Sequence, residues 1–168
     1  GGDGDDIVFT SGGDAEIYGG SGDDTITTLA GDNIIQGEGG LDVITAGSGD
    51  DFIDGGADRD IIFGGAGADT IYGGGGSDDL YGGVSAAGGD TAGNVIYGDA
   101  GFVDPAADAD LIYGDLGSDV IFGEVGTDEI HGLAGQDTID GGDDDDEIYG
   151  GEGADDIFGG EGDDDIFG

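Results

Sequence analysis

The chain has 168 residues and carries 42 acidic residues against one basic residue, Arg59, so its formal net charge is −41 at pH 7. Without a cationic surface for phosphates it is not expected to bind nucleic acid or anionic membranes, and without lysine it has no P-loop. It also lacks cysteine, which excludes disulfides and thiolate zinc sites. Repulsion among so many acids predicts that the chain folds only when cations are added.

The chain is a tandem repeat of nine residues. Written in nines from Gly1, it gives units such as GGDGDDIVF (1–9), GGAGADTIY (64–72) and GGEGDDDIF (159–167). Seventeen repeats, numbered here from the N-terminus, cover it if repeats 10 and 11 each take seven extra residues, within 82–93 and 98–109. We expect these insertions to be surface loops, with a contact site as the alternative, inside a single domain spanning 1–168.

Position eight of the repeat is always aliphatic and predicts the core. One inward side chain in nine residues fits a three-residue strand, with the remaining G-G-x-G-x-D forming a turn in which glycine permits a positive φ. Two strands and two turns make a coil of 18 residues, and stacked coils bury a thin double layer of aliphatic side chains. The eighth positions are Val8, Ile17, Ile26, Ile35, Ile44, Ile53, Ile62, Ile71, Leu80, Ile96, Ile112, Ile121, Ile130, Ile139, Ile148, Ile157 and Ile166.

The pattern resembles the nonapeptide repeat of RTX (repeats-in-toxin) proteins over the whole chain. A single GGxGxD is weak evidence, but about a dozen good copies in register are strong evidence. The resemblance implies an all-β fold, a parallel β-roll solenoid with 18 residues per coil and about 17 nonapeptide half-coils.

Position six of the repeat carries Asp in fourteen repeats. Turns two repeats apart stack on one edge, so these carboxylates face each other across about 5 Å and repel unless a cation lies between them. Calcium accepts hard oxygen ligands in flexible number, whereas magnesium requires strict octahedral geometry. The expected calcium-binding carboxylates are Asp6, Asp24, Asp42, Asp51, Asp60, Asp69, Asp78, Asp110, Asp119, Asp128, Asp137, Asp146, Asp155 and Asp164, with Asn33 and Asn94 as weak ligands.

The resemblance further implies that carbonyls at positions one, two and four complete each calcium site. Carried over to this chain, they belong to Gly1, Gly2, Gly4, Gly19, Gly20, Gly22, Gly64, Gly65, Gly67, Gly73, Gly74, Gly76, Gly150, Gly151, Gly153, Gly159, Gly160 and Gly162. Odd repeats give an unbroken row of acids, whereas the even row is interrupted at Ala15, Asn33 and Asn94. The stacked turns leave gaps for at most about 15 calcium ions, and the gaps at the interruptions are expected to fill late or stay empty.

Aromatic residues recur at position nine, beside the inward position eight. We expect them to face outward and stack between repeats two apart, with an apolar surface for a partner as the alternative. They are Phe9, Tyr18, Phe63, Tyr72, Tyr81, Tyr97, Tyr113, Phe122, Tyr149, Phe158 and Phe167. His131 and Arg59 are single exceptions to the repeat, and both are expected to be surface residues.

No arrangement of catalytic residues stands out, and we expect this segment not to be an enzyme. The single histidine has no G-x-S-x-G nucleophile, and the thin core leaves no apolar pocket that would separate the pKa values of two acids. Ice binding would require a regular Thr or Asn array, but positions three and five are mixed.

The RTX resemblance implies a calcium-binding module that folds outside a bacterial cell after type I secretion. Two alternatives remain open. One is a structural segment of a surface-layer, adhesin or biofilm-matrix protein with a surface partner or self-assembly, and the other is the C-terminal module of an exported enzyme or toxin. Since the chain starts without Met or a signal segment, we expect it to be a piece of a longer protein, with flanking domains as partners.

Overall fold

The structure, a computed structural model, describes residues 1–84, 91–99 and 108–168, and over these residues it consists of two parallel sheets of nine strands each. One sheet contains the odd-numbered strands in chain order and the other the even-numbered strands. The strands are β1 (Gly2–Asp3), β2 (Ile7–Thr10), β3 (Glu16–Ser21), β4 (Thr25–Thr28), β5 (Ile34–Gly39), β6 (Val43–Ser48), β7 (Phe52–Ala57), β8 (Ile61–Ala66), β9 (Thr70–Gly75), β10 (Asp79–Tyr81), β11 (Val95–Asp99), β12 (Leu111–Asp115), β13 (Val120–Val125), β14 (Glu129–Gly135), β15 (Thr138–Asp143), β16 (Glu147–Gly153), β17 (Asp156–Glu161) and β18 (Asp165–Phe167).

The predicted fold, a parallel β-roll solenoid, is confirmed. The chain alternates between the two sheets and makes about eight turns of roughly 18 residues. The register is kept across both insertions, because Ile71 pairs with Ile96 in one sheet and Leu80 pairs with Ile112 in the other. Most of each insertion, 85–90 and 100–107, lies outside the described residues, so the expectation that they are surface loops stays a prediction.

The core is the double row of position-eight side chains between the two sheets. From Ile26 to Ile148 every one of them is fully buried, and Ile17 is 7% exposed. Val8 and Ile157 in the outer coils are partly buried, and Ile166 is exposed. Burial of roughly one aliphatic side chain per repeat, at about 1.5–3 kcal/mol each, is the main apolar contribution to folding.

The strands are longer than the three residues predicted. Half of them run for six residues, from position seven through position three of the next repeat, so the turn shrinks to positions four to six. Gly20 at position two has a φ of 117°, and a Cβ there would clash with the carbonyl oxygen of Gly2 in the preceding coil. Glu38, Glu124 and Leu133 stand at the same position with φ of 76–80°, and their strands are as long, so the backbone ladder continues with or without glycine where a turn was expected.

Eight of the eleven position-nine aromatic residues stack in ladders on the outer faces of the sheets, as predicted. The other three, Phe9, Tyr18 and Phe158, lie beside Thr27, Gln36 and Asp140 in the neighbouring strands. Tyr72 stacks on Tyr97 at 4.7 Å between ring centroids in one sheet. In the other, His131 lies between Tyr113 and Tyr149, at 4.5 and 4.7 Å, so it belongs to the ladder rather than being an isolated surface residue. Arg59 is exposed and pairs with Asp79 at 2.5 Å.

Within the described part of the chain, no helix is long and apolar enough to cross a membrane.

Candidate metal sites

The position-six carboxylates lie at the end of each turn, where the chain enters the next strand. Those from Asp24 to Asp146 are buried, and Asp6, Asp155 and Asp164 in the outer coils are partly exposed. One oxygen of each, Oδ1, accepts the backbone N–H of the position-six residue one coil earlier: Asp110 donates to Asp128 and Asp42 donates to Asp60, each at 2.8 Å. On the edge formed by the odd repeats, the odd edge, these bonds run without a break from Asp6 to Asp164. The carboxylates therefore connect successive coils through hydrogen bonds that involve no ion.

The second oxygen, Oδ2, is buried without a hydrogen-bond partner in most of these residues. This holds for Asp24, Asp42, Asp51, Asp60, Asp78, Asp110, Asp128, Asp137 and Asp146. Buried polar atoms almost always have partners, and an unpartnered carboxylate oxygen is costly. The regular repetition of this atom through the structure points to a row of cation sites rather than to a local defect.

The space beside Oδ2 is bounded by oxygen atoms and kept open by glycine at position one. A Cβ placed on Gly132 would lie 2.6 Å from Asp137 Oδ2 and 2.6 Å from the carbonyl oxygen of Gly150 in the next coil. In the glycine-bearing repeats the absence of a side chain therefore leaves space where a carboxylate and a carbonyl converge. A hard, oxygen-seeking cation such as calcium fits this donor set.

The electrostatics of these carboxylates also call for a counter-charge. Burial, together with a smaller contribution from neighbouring carboxylates, raises the pKa of Asp60 to about 7, that of Asp78 to about 9 and that of Asp128 to about 8. Burial likewise raises the pKa of Asp110 to about 7. In water each would be ionised well below neutral pH, so in the fold each needs either a proton or a cation.

The carbonyls that the RTX resemblance implies as ligands, at positions one, two and four, do not all lie beside the position-six side chain. A position-one carbonyl borders Oδ2 from the next coil, as Gly150 shows, and in repeat 4 the position-four carbonyl of Gly31 is 2.7 Å from the side-chain nitrogen of Asn33. The position-two carbonyl of Gly47 instead faces the position-two glycine one coil later, Gly65. In the described part of the chain, no three His, Cys, Asp or Glu side chains converge as a metal site.

Two further buried carboxylates were missed by the sequence reasoning. Asp115 is fully buried and Asp99 is 6% exposed, and both stand at position two, where most repeats have glycine. Asp115 donates its backbone N–H to Asp119 Oδ2 at 2.9 Å, so Asp119 differs from the other position-six residues. The available signal was the pair of IYGD segments at 96–99 and 112–115, in which Asp follows the position-one glycine.

A second row of carboxylates, at position five, was also missed. These exposed side chains form bonds in the opposite direction, because Asp5 Oδ1 accepts the N–H of Asp23 in the following coil at 3.1 Å and Asp32 Oδ1 accepts that of Asp50 at 3.0 Å. They stabilise coil stacking from the solvent side.

Parallel coils whose turns bury rows of carboxylates define a solenoid of the cation-binding class. The family model of the RTX calcium-binding nonapeptide repeat (four copies) matches the chain at residues 1–35, 18–53, 27–62, 54–85, 106–139 and 131–166. The chain belongs to this family, and calcium binding is the function that membership supports. A comparison with curated proteins found no match.

Proposed function

We propose that this segment is a module that folds when calcium binds, outside the cell, as part of a secreted bacterial protein. The observation that carries the proposal is the row of buried, unpartnered Oδ2 atoms, which recur in register along both edges of the solenoid. Membership of the RTX calcium-binding family supports the choice of ion.

Position-six carboxylates hold the ion in this proposal, through Oδ2, together with carbonyls of the adjoining turns. On the odd edge the ligands are Asp6, Asp24, Asp42, Asp60, Asp78, Asp110, Asp128, Asp146 and Asp164. On the edge of the even repeats they are Asp51, Asp69, Asp119, Asp137 and Asp155. Calcium supplies the positive charge that stacking of these acids requires. The chain's residues do the rest, since Oδ1 fixes the carboxylate to the preceding coil while glycine keeps the space beside Oδ2 open.

The link to secretion follows from where calcium is abundant. Extracellular calcium modules have dissociation constants of about 10⁻⁴–10⁻³ M, so such sites stay empty in the cytosol and fill outside the cell. Because the unfolded chain has no preformed site, the free energy of ion binding becomes free energy of folding. An unfolded chain suits passage through a type I secretion channel, and the role of this segment in the secreted protein is ion binding rather than catalysis.

Circular dichroism during a calcium titration tests the proposal. We expect a disordered spectrum in excess chelator and a β-rich spectrum at millimolar calcium, with magnesium at the same concentration much less effective. A β-rich spectrum that persists in excess chelator at neutral pH would contradict it.

A further inference from the structure

The edge formed by the even repeats, the even edge, departs from the motif at its N-terminal end. All odd repeats have glycine at position one, and every exception falls in repeats 2, 4 and 6, which carry Thr10, Thr28 and Ala46. In the first two of these repeats position six is also changed, to Ala15 and Asn33. Since a Cβ at position one would fill the space beside Oδ2, the two changes belong together.

In repeat 4 the side-chain amide of Asn33 stands where other repeats have the unpartnered oxygen. Its Oδ1 accepts the N–H of Ala15 at 3.1 Å, as a position-six Asp would. Its Nδ2 donates to the carbonyl oxygen of Gly31 at 2.7 Å and to Asp51 Oδ1 at 2.8 Å, and it lies 3.2 Å from Thr28 Oγ1. A donor with positive partial charge thus faces the oxygens that would otherwise face a cation.

The side chain of Thr28 fills the rest of that space. It is 1% exposed, and its hydroxyl donates to the carbonyl oxygen of Ala46, the position-one residue of the next coil on this edge. That carbonyl corresponds to the one that borders Oδ2 in the glycine-bearing repeats, such as Gly150 beside Asp137. Both types of candidate oxygen ligand around Asn33, carbonyl and carboxylate, therefore already accept hydrogen bonds from this chain.

A second repeat on the same edge shows the same exchange of oxygen for nitrogen. A Cβ on Gly82 would meet Asn94 Nδ2 at 2.7 Å, so this nitrogen occupies the place of an Oδ2. It donates to the buried carboxylate of Asp115 at 3.0 Å. In this repeat, repeat 10, position one is still glycine and only position six is changed. In repeat 4 both positions are changed, so the departure from the calcium-binding motif is more complete there.

We propose that the contacts of Thr28 and Asn33 with Ala46 and Asp51, here called the amide rung, replace a calcium ion and join repeats 4 and 6 without metal. The proposal rests on calcium binding by the glycine-bearing turns. It means that repeats 4 and 6 on the even edge are joined by hydrogen bonds of the chain itself, one of them to the Asp51 carboxylate, while ions join the same coils on the odd edge. The amide rung needs no calcium of its own, and it forms when calcium on the odd edge folds these coils.

Reciprocal double variants test the amide rung. Thr28→Gly with Asn33→Asp restores the motif in repeat 4, and Gly132→Thr with Asp137→Asn builds an amide rung in repeat 14 of the same edge. Native mass spectrometry at saturating calcium counts the bound ions, and circular dichroism confirms that each variant has folded. We expect one ion more than the original chain in the first variant and one ion fewer in the second.

An unchanged ion count in either folded variant would overturn the proposal, because the first would show that repeat 4 already holds an ion and the second that an amide does not exclude one. If a double variant does not fold, the original chain still provides a test by NMR. We expect slow solvent exchange of the Asn33 side-chain amide protons both at limiting and at saturating calcium, whereas fast exchange at saturation would overturn the amide rung. A chain that binds no calcium at all would instead refute the proposed function.

Discussion

Substitutions at Asp128 separate the two tasks of a position-six carboxylate. Asp128 is 1% exposed; its Oδ1 accepts the Asp110 N–H at 2.8 Å, and its Oδ2 is unpartnered. Asp128→Asn keeps an Oδ1 acceptor but places a donor at Oδ2, whereas Asp128→Ala removes both. We therefore expect both variants to lose calcium, and only Ala to lose the bond between coils.

The size of the difference follows from the buried N–H of Asp110. Leaving such a donor without an acceptor costs about 1–3 kcal/mol, so at saturating calcium Asp128→Ala should be less stable than Asp128→Asn by that amount. Both should be less stable than the original chain, because a charged ligand to the ion is missing. Glu129→Gln is the matched control, since the Glu129 side chain is exposed and its carboxylate pairs with the ladder residue His131 at 2.8 Å. We expect a change within about 0.5 kcal/mol.

Urea unfolding at fixed, saturating calcium measures the free energies of unfolding, and native mass spectrometry counts the ions. If Asp128→Asn bound as many ions as the original chain, Oδ2 would not be a ligand. If the Ala and Asn variants were equally stable, the Oδ1 bond would contribute nothing to coil stacking. If Glu129→Gln were as damaging as Asp128→Ala, the assignment of inward and outward positions would be wrong.

Two other predictions address the core and the charge. Ile130→Asp should destabilise the calcium-loaded chain by several kcal/mol, because it places a carboxylate in the fully buried aliphatic row. Urea unfolding should show a larger loss than for Asp128→Ala, and losses of equal size would contradict this prediction. Acid should partly replace calcium. Burial raises the pKa of Asp78 to about 9 from an ordinary 3.8, so the folded chain binds protons more tightly than the unfolded one, and in chelator its stability should rise as pH falls from about 9 to about 4 and level off below. Circular dichroism in chelator across this range measures the gain, and a flat profile would refute it.

The repeat phase could be predicted because it depends on burial, which the sequence encodes directly. An aliphatic residue at position eight of each repeat, such as Ile71 or Leu80, indicates one inward side chain per strand. The structure buries both completely. The outward aromatic ladders follow from the same alternation. The length of the strands could not be predicted, because it depends on how the backbones of neighbouring coils pair, at Gly20 and at Glu38 alike.

The candidate sites were predicted less completely than the fold. The structure stacks the position-six residues in a row on each edge, and their role as calcium ligands stays a prediction. The hydrogen bond that each Oδ1 accepts from the preceding coil depends on coil stacking and leaves no trace in the sequence. Asp99 and Asp115 were missed for a different reason. A carboxylate at a turn position is usually solvated, and only the packing of neighbouring coils buries these two.

The ladder of Oδ1 bonds also explains how a solenoid of stacked sites tolerates two insertions. Asp78 donates its N–H to Asp110 Oδ1 at 2.7 Å, and Asp69 donates to Asn94 Oδ1 at 2.8 Å, so the side-chain ladder crosses the insertions on both edges. In a stacked array each coil depends chiefly on its neighbours, and coupling is lost only where a neighbour contact is lost. Since these contacts persist, the inserted residues do not divide the array. Ion binding on one side of the insertions can therefore favour stacking, and hence binding, on the other.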